Sequence, residues 1–377
     1  MLLQHQQHLA DLAGCNRRRT LSPRTGIDFA SNDYLGLTSH PMLRHAVEQA
    51  LARGVPIGAG GSRLLRGNHP EHEALEAEAA VFFGVERALF FSSGYAANAT
   101  LVSTLPQRGD LIVHDALVHA SAHEGLRLGR AAAVSVAHND VGAFEEAIRR
   151  WRVEGNSGRV WIVVESLYSM DGDQAPLADL AALADRHDAM LLIDEAHAVG
   201  VFGPEGRGLA AGLDGCENVI TLKTCGKALG CEGALLCGSE VMRDFLVNRS
   251  RPFIFSTAPS PLMAAAVREA LRLLAHEPER RAALHGLARH AGALFADRLG
   301  VPDSGSQILP VILGNDARAM QTAAALQQAG FDVRGIRPPT VPEGTARLRI
   351  SITLNVTEAD IDGLVDALEA LLGEPVA

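Results

Sequence analysis

Lysine is almost absent from this chain of 377 residues: of its 34 basic residues only Lys223 and Lys227 are lysine, and the rest are arginine. A guanidinium stays charged and is not a usable amine nucleophile, so Schiff-base chemistry has just these two side chains to draw on. A coding bias toward arginine accounts for the scarcity. It still marks the stretch around the two lysines as the place to look for amine chemistry.

Long apolar runs are missing as well. No stretch approaches the roughly 18 uninterrupted apolar residues of a membrane helix. The N-terminal residues, with Gln4, His5 and Asp11, hold no apolar signal-peptide core. A soluble cytoplasmic protein with no membrane partner is the expectation. The chain has no surplus of positive charge either; its formal net charge of -10 disfavours nucleic acid as a partner. Cysteines number five (Cys15, Cys216, Cys225, Cys231 and Cys237), an odd count with no CxxC pair, and no His spacing completes a zinc pattern. Neither a disulfide framework nor a metal site is expected.

What remains is enough for a sizeable core, with 47% hydrophobic residues and a length that calls for two domains. Strand-like runs recur at Ala88–Phe91, Leu111–Val113, Ala132–Val136, Val160–Val164, Met190–Ile193, Val219–Leu222 and Ala234–Cys237. Continuous apolar runs such as Val160–Val164 indicate burial on both faces. Between runs, Leu177, Leu180, Ala181 and Ala184 recur at helical spacing. This alternation predicts an α/β protein: a large three-layer α/β/α domain with a mainly parallel sheet over 40–260. After Pro259 come long helices over Pro261–Leu299, strand-like Ile308–Leu313 and Ala346–Ile352, and an amphipathic Arg318–Gln328. Thr357 can cap a last helix whose Ile361, Leu364, Val365, Leu368 and Leu372 share a face. These features predict a smaller α/β C-terminal domain over 261–377, with an N-terminal segment, 1–39, packing on it.

Three segments carry chemistry. Phe90 to Asn98, through Ser93-Gly94-Tyr95, ends a strand, turns at Gly94 and starts a helix, whose free N–H groups suit a phosphate. Taken alone, an ordinary strand–helix turn explains it. Asp194 ends the Met190–Ile193 strand, where open α/β sheets hold ligands, and a carboxylate there can pair with a protonated pyridine nitrogen. Asp194-Glu195-Ala196-His197 also spells a helicase signature. The phosphate loop that signature requires upstream is missing, because Gly226-Lys227 lies downstream and is followed by Ala228. Lys227 itself lies one strand and connection beyond Asp194, in Thr224-Cys225-Gly226-Lys227. Thr224 can offer a hydroxyl to a phosphate, whereas Lys223, on a strand, points to the opposite face.

Together, Ser93-Gly94-Tyr95, His119, Ser169, Asp194-x-x-His197 and Thr224-x-Gly226-Lys227 resemble the α-oxoamine synthases. These are fold-type I enzymes dependent on pyridoxal 5'-phosphate (PLP), built like aspartate aminotransferase. The resemblance runs from Phe29-Ala30-Ser31-Asn32-Asp33-Tyr34 to Arg349. The run Ile336–Arg349, with Arg337-Pro338-Pro339-Thr340, looks most like the biotin-pathway branch of the family, which joins L-alanine to a pimeloyl thioester carried by CoA or an acyl carrier protein. The resemblance implies that Lys227 holds PLP, Asp194 pairs with the pyridine nitrogen and His119 stacks on the ring. It places His197 and Ser169 at the ring's phenolic oxygen, and Gly94, Tyr95 and Thr224 at the phosphate. Ser256 and Thr257 would complete the phosphate cup of a partner subunit, making a homodimer necessary. Arg349 would clamp the amino acid's carboxylate, with Asn32 and Glu165 near the substrate and Arg17 meeting the acyl group. A solvated basic turn explains Arg17–Arg19 equally well. Glycine- and serine-using members of the family, a PLP aminotransferase and a non-catalytic descendant remain the alternatives.

Overall fold

A computed structural model describes residues 2–373. Its strands are β1 (Ile27–Asp28), β2 (Arg87–Phe91), β3 (Leu111–Asp115), β4 (Ala132–Val136), β5 (Val160–Glu165), β6 (Met190–Asp194), β7 (Val219–Thr224), β8 (Ala234–Gly238), β9 (Ile308–Gly314), β10 (Phe331–Asp332), β11 (Arg334–Ile336) and β12 (Ala346–Ser351). The helices are α1 (Leu3–Gly14), α2 (Pro41–Ala52), α3 (Pro70–Phe83), α4 (Gly94–Thr104), α5 (Ala120–Leu128), α6 (Val141–Val153), α7 (Leu177–Arg186), α8 (Glu240–Arg249), α9 (Arg251–Ile254), α10 (Pro261–His276), α11 (Pro278–Leu299), α12 (Asp316–Gln328) and α13 (Glu358–Leu372). No helix among the described residues is long and apolar enough to cross a membrane.

Two compact units result: Leu35–Tyr168 with Gln174–Arg281, and Met1–Tyr34 with Ser169–Asp173 and Ala282–Ala377. The larger unit holds a sheet of seven strands in the order β2-β8-β7-β6-β5-β3-β4, in which β8 runs antiparallel to both neighbours. All seven expected runs are strands of this sheet. Side chains of β5 alternate between two cores, which is why an unbroken apolar run was needed there. Val160, Ile162 and Val164 meet Phe144 and Ile148 of α6 and Leu180 and Leu183 of α7 on one face. Trp161 and Val163 meet Leu101 of α4, Ala122 of α5 and Leu246 of α8 on the other. Each such side chain contributes roughly 1.5–3 kcal/mol by leaving water. Parallel strands joined by crossover helices end on one sheet edge, and Glu165, Asp194 and Thr224 all lie at carboxyl ends there.

The domain boundary expected at residue 260 falls later. Helix α10 packs on α2 and α3 of the larger unit, because its buried Ala264, Ala265, Val267 and Leu271 find their partners there. In the smaller unit, β11-β12-β9 form an antiparallel sheet, and β1 pairs in parallel with β10. Thr357 caps α13 in a capping box with Asp360, and Ile361, Leu364, Val365 and Leu368 are buried.

Lys223 is fully buried on β7, on the face away from Thr224. Its Nζ donates to Glu195 Oε2, Asp214 Oδ2 and the Arg207 carbonyl, each at 2.9 Å, and lies 5.1 Å from the centre of the Phe83 ring. Burial works against the ammonium, but Glu195 and Asp214 outweigh it and raise its pKa. Removing the cation strands two carboxylates in the interior, a change that costs about 3–5 kcal/mol. Lys223→Met is therefore expected to lower the denaturant midpoint sharply, and an unchanged unfolding curve would refute the structural role of this triad.

Candidate active site

One cavity of the larger unit, of about 200 Å³, is lined by Gly94, Tyr95, His119, Ser121, Glu165, Asp194, Ala196, His197, Leu222, Thr224, Gly226 and Lys227. The strand ends supply its carboxylates and Thr224, and the turns after β6 and β7 supply His197 and Lys227. Lys227 Nζ lies 2.6 Å from His197 Nε2. Asp194 accepts from its own turn, Ala196 N to Oδ1 at 2.9 Å, and from Asn98 Nδ2 to Oδ2 at 2.8 Å. Burial raises the Asp194 pKa and the Lys227 charge opposes the rise. For His119 burial lowers the pKa against the pull of Asp194, and Lys227 adds to the lowering, so the ring is neutral near pH 7.

At the start of α4, Ser93 caps the helix by accepting from Ala96 N at 3.1 Å. The N–H groups of the first turn point out of a helix end and have no helical acceptor, which makes an anion seat. A Cβ on Gly94 would come within 3.2 Å of Thr224 Oγ1, so glycine is what lets this helix end and the threonine hydroxyl converge. Tyr95 meets the His119 ring edge-on at 6.3 Å between centroids.

The chain matches the class I and II aminotransferase family over residues 24–368. It is 46% identical to an 8-amino-7-oxononanoate synthase of Anaeromyxobacter dehalogenans over 352 residues, 93% of this chain and 87% of that one. A second such synthase, from Alkalilimnicola ehrlichii, is 43% identical over 94% of this chain and 90% of its own. This chain belongs to the 8-amino-7-oxononanoate synthase family. Among solved structures, the serine palmitoyltransferase of Sphingomonas wittichii superposes with a TM-score of 0.88 at 32% identity over all of both chains. An 8-amino-7-oxononanoate synthase from Francisella tularensis gives 0.79 at 28% identity, over 92% of this chain and 98% of that one.

PLP is the cofactor of this family, and the cavity fits it. An amine for the aldehyde, a carboxylate at a strand end for the pyridine nitrogen, a neutral imidazole and an anion seat built from a helix end and a threonine are the donor set its functional groups need.

The remaining expected residues are not among those that line this cavity. Asn32, Ser169 and Arg349 belong to the smaller unit. There Arg349 Nε donates to the Ser169 carbonyl at 2.5 Å, Nη1 to Ser351 Oγ at 2.7 Å and Nη2 to the Tyr34 hydroxyl at 3.2 Å. Tyr34 in turn donates to Asn32 Oδ1 at 3.0 Å. Those bonds use one N–H of each Arg349 nitrogen and leave a second on each terminal nitrogen. Arg17 pairs with Asp316 at 2.6 Å and, through both terminal nitrogens, with Glu343 at 2.8 and 2.5 Å. Ser256 and Thr257 are exposed on the segment after α9. Asn98 and Ser121 were not singled out from the sequence; only their places, four residues after Gly94 and two after His119, hinted at them.

The two lysines give a clean test of which amine holds the cofactor. Lys227→Ala should lose the visible absorption of bound PLP, while folded Lys223→Met keeps it. The reverse pattern would assign the wrong lysine.

Proposed function

We propose that this chain joins L-alanine to a pimeloyl thioester with loss of carbon dioxide, giving 8-amino-7-oxononanoate and the free thiol. One structural observation carries the chemistry: Lys227 Nζ sits 2.6 Å from His197 Nε2, in the cavity that the Asp194 carboxylate also lines. The identity to curated synthases carries the substrates. The serine palmitoyltransferases among the solved neighbours favour a serine-using reading, but at 32% identity or less they are more distant than the synthases at 41–46%.

Lys227, Asp194, His119, His197, Ser93, Gly94, Tyr95 and Thr224 would hold PLP, with Ser169 at its phenolic oxygen. When bound, PLP supplies an electron sink for the carbanion at the amino acid's α-carbon. Lys227 Nζ takes the α-proton and later returns one to the same carbon. Between those transfers a C–C bond forms to the pimeloyl carbonyl carbon, the C–S bond breaks, and the alanine carboxylate leaves as carbon dioxide. Arg349 orients that carboxylate through its two remaining N–H groups, and its partners Ser169, Ser351 and Tyr34 hold the guanidinium in register. Burial raises the Tyr34 pKa against the nearby Arg349 charge, so its hydroxyl keeps the proton it donates to Asn32. Asn32 and Glu165 would border the amino acid.

The working form is a cytoplasmic homodimer, in which the exposed Ser256 and Thr257 of each subunit reach the phosphate seat of the other. Arg17 contributes to acyl binding through the segment it anchors to Asp316 and Glu343, and the acyl group arrives on CoA or on an acyl carrier protein.

Adding L-alanine and then a pimeloyl thioester to PLP-loaded protein should produce a new long-wavelength absorption and release carbon dioxide. Glycine and serine in place of alanine are the controls, with CoA and carrier-protein thioesters in parallel. A response confined to glycine or serine would move the chain to a sister activity. Arg349→Lys, which cannot make the bidentate pair, should raise the KM for alanine by roughly 10–100-fold.

A further inference from the structure

The amide of Asn98 joins the two groups that flank the cofactor cavity. Its side chain is buried on α4, with 4% of the residue exposed. One Nδ2 hydrogen goes to Asp194 Oδ2 at 2.8 Å and the other to Ser121 Oγ at 3.0 Å. Ser121 Oγ lies 2.7 Å from His119 Nδ1, and the Ser121 backbone N–H donates to that same nitrogen at 3.2 Å as the cap of α5.

Donor counting fixes the direction of every proton in this chain of bonds. An amide nitrogen can only donate, so Asp194 Oδ2 and Ser121 Oγ both accept from Asn98. A backbone N–H can only donate, so His119 Nδ1 presents a lone pair. The Ser121 hydroxyl hydrogen is then left to point at Nδ1, and the imidazole proton sits on Nε2. Asp194 Oδ1 already accepts from Ala196 N, so each of its oxygens takes a donor and its charged form is the one the surroundings solvate.

We propose that Asn98 is a positioning residue for the reaction, which keeps Asp194 ionised against the cofactor's pyridine nitrogen and, through Ser121, keeps His119 in its Nε2–H form. Burial presses Asp194 toward its neutral form, so a donor that favours the charge is needed there. The other charged and titratable groups around Asp194 are Lys227, which stabilises its charge, Glu195, which opposes it, and His119, Glu165 and His197, which line the same cavity. Without Asn98 the carboxylate becomes the stronger base and draws the shared proton off the pyridine nitrogen, which weakens electron withdrawal by the ring.

The inference rests on PLP being held by Lys227 and Asp194, and the holoenzyme of the unmodified chain tests that separately. Asn98→Leu keeps the approximate volume and removes both donors. Loss of a bond to a charged group predicts a kcat lower by roughly 10–100-fold, with the KM for alanine within about threefold of the parent. The pH at which the visible band of bound PLP titrates should move upward. Ser121→Ala keeps the Asn98–Asp194 bond and should leave that titration in place while lowering kcat only severalfold. Should Asn98→Leu fail to fold, Asn98→Ser carries the same two readouts. A variant that loses thermal stability but keeps the parent's titration and kcat would overturn the proposal and leave Asn98 a packing residue. A parent holoenzyme with no visible band at all would instead remove the PLP site on which the proposal stands.

Discussion

The Asp194 carboxylate sits partly buried at the carboxyl end of β6, where its charge is partly withdrawn from water and must be met by fixed donors and cations. Two of those donors are local and tertiary in turn: the Ala196 N–H comes from its own turn, and the Asn98 amide comes from a helix 96 positions earlier in the chain. The rest of the site is arranged around that need. Helix α4 carries both the anion seat at its Gly94 end and, one turn on, the Asn98 amide that reaches Asp194. The parallel sheet makes this possible, because β5, β6 and β7 deliver their last residues to a common edge.

The same sheet explains why two lysines four positions apart have opposite fates. Successive residues of a strand face opposite sides. Lys223 follows the strand into the core and is committed to Glu195 and Asp214, whereas the chain leaves β7 at Thr224 and carries Lys227 into the turn. Glu195, the second letter of the helicase-like signature, is likewise structural: it is fully buried and accepts from Lys223 and from Ala210 N.

Much of this was legible in the sequence. All seven strands of the large sheet announced themselves as apolar runs, and those covered on both faces, such as β5, have no polar period to blur them. His119, Asp194, His197, Thr224 and Lys227 were legible because each stands next to a strand end or helix start that the pattern locates. Asn98 and Ser121 were not, since the Asn98 amide makes tertiary hydrogen bonds to Ser121 on α5 and to Asp194 at the end of β6, and nothing in their local spacing encodes those partners. The allegiance of α10 was hidden for a related reason. An amphipathic helix declares that it has an apolar face but not which unit covers it, and α10 finds its cover on α2 and α3.

The near-absence of lysine now acquires a chemical meaning whatever its genetic cause. An aldehyde cofactor reacts with any accessible ε-amine, and this chain has two ε-amines. One is held as an ammonium, fully buried, with all three hydrogens engaged by Glu195, Asp214 and the Arg207 carbonyl. An ammonium with no lone pair and no route to solvent is not a nucleophile. Lys227 alone combines an amine with a place on the cavity wall, where its Nζ lies 2.6 Å from His197 Nε2. Arginine at every other basic position leaves the surface charged but without a competing amine.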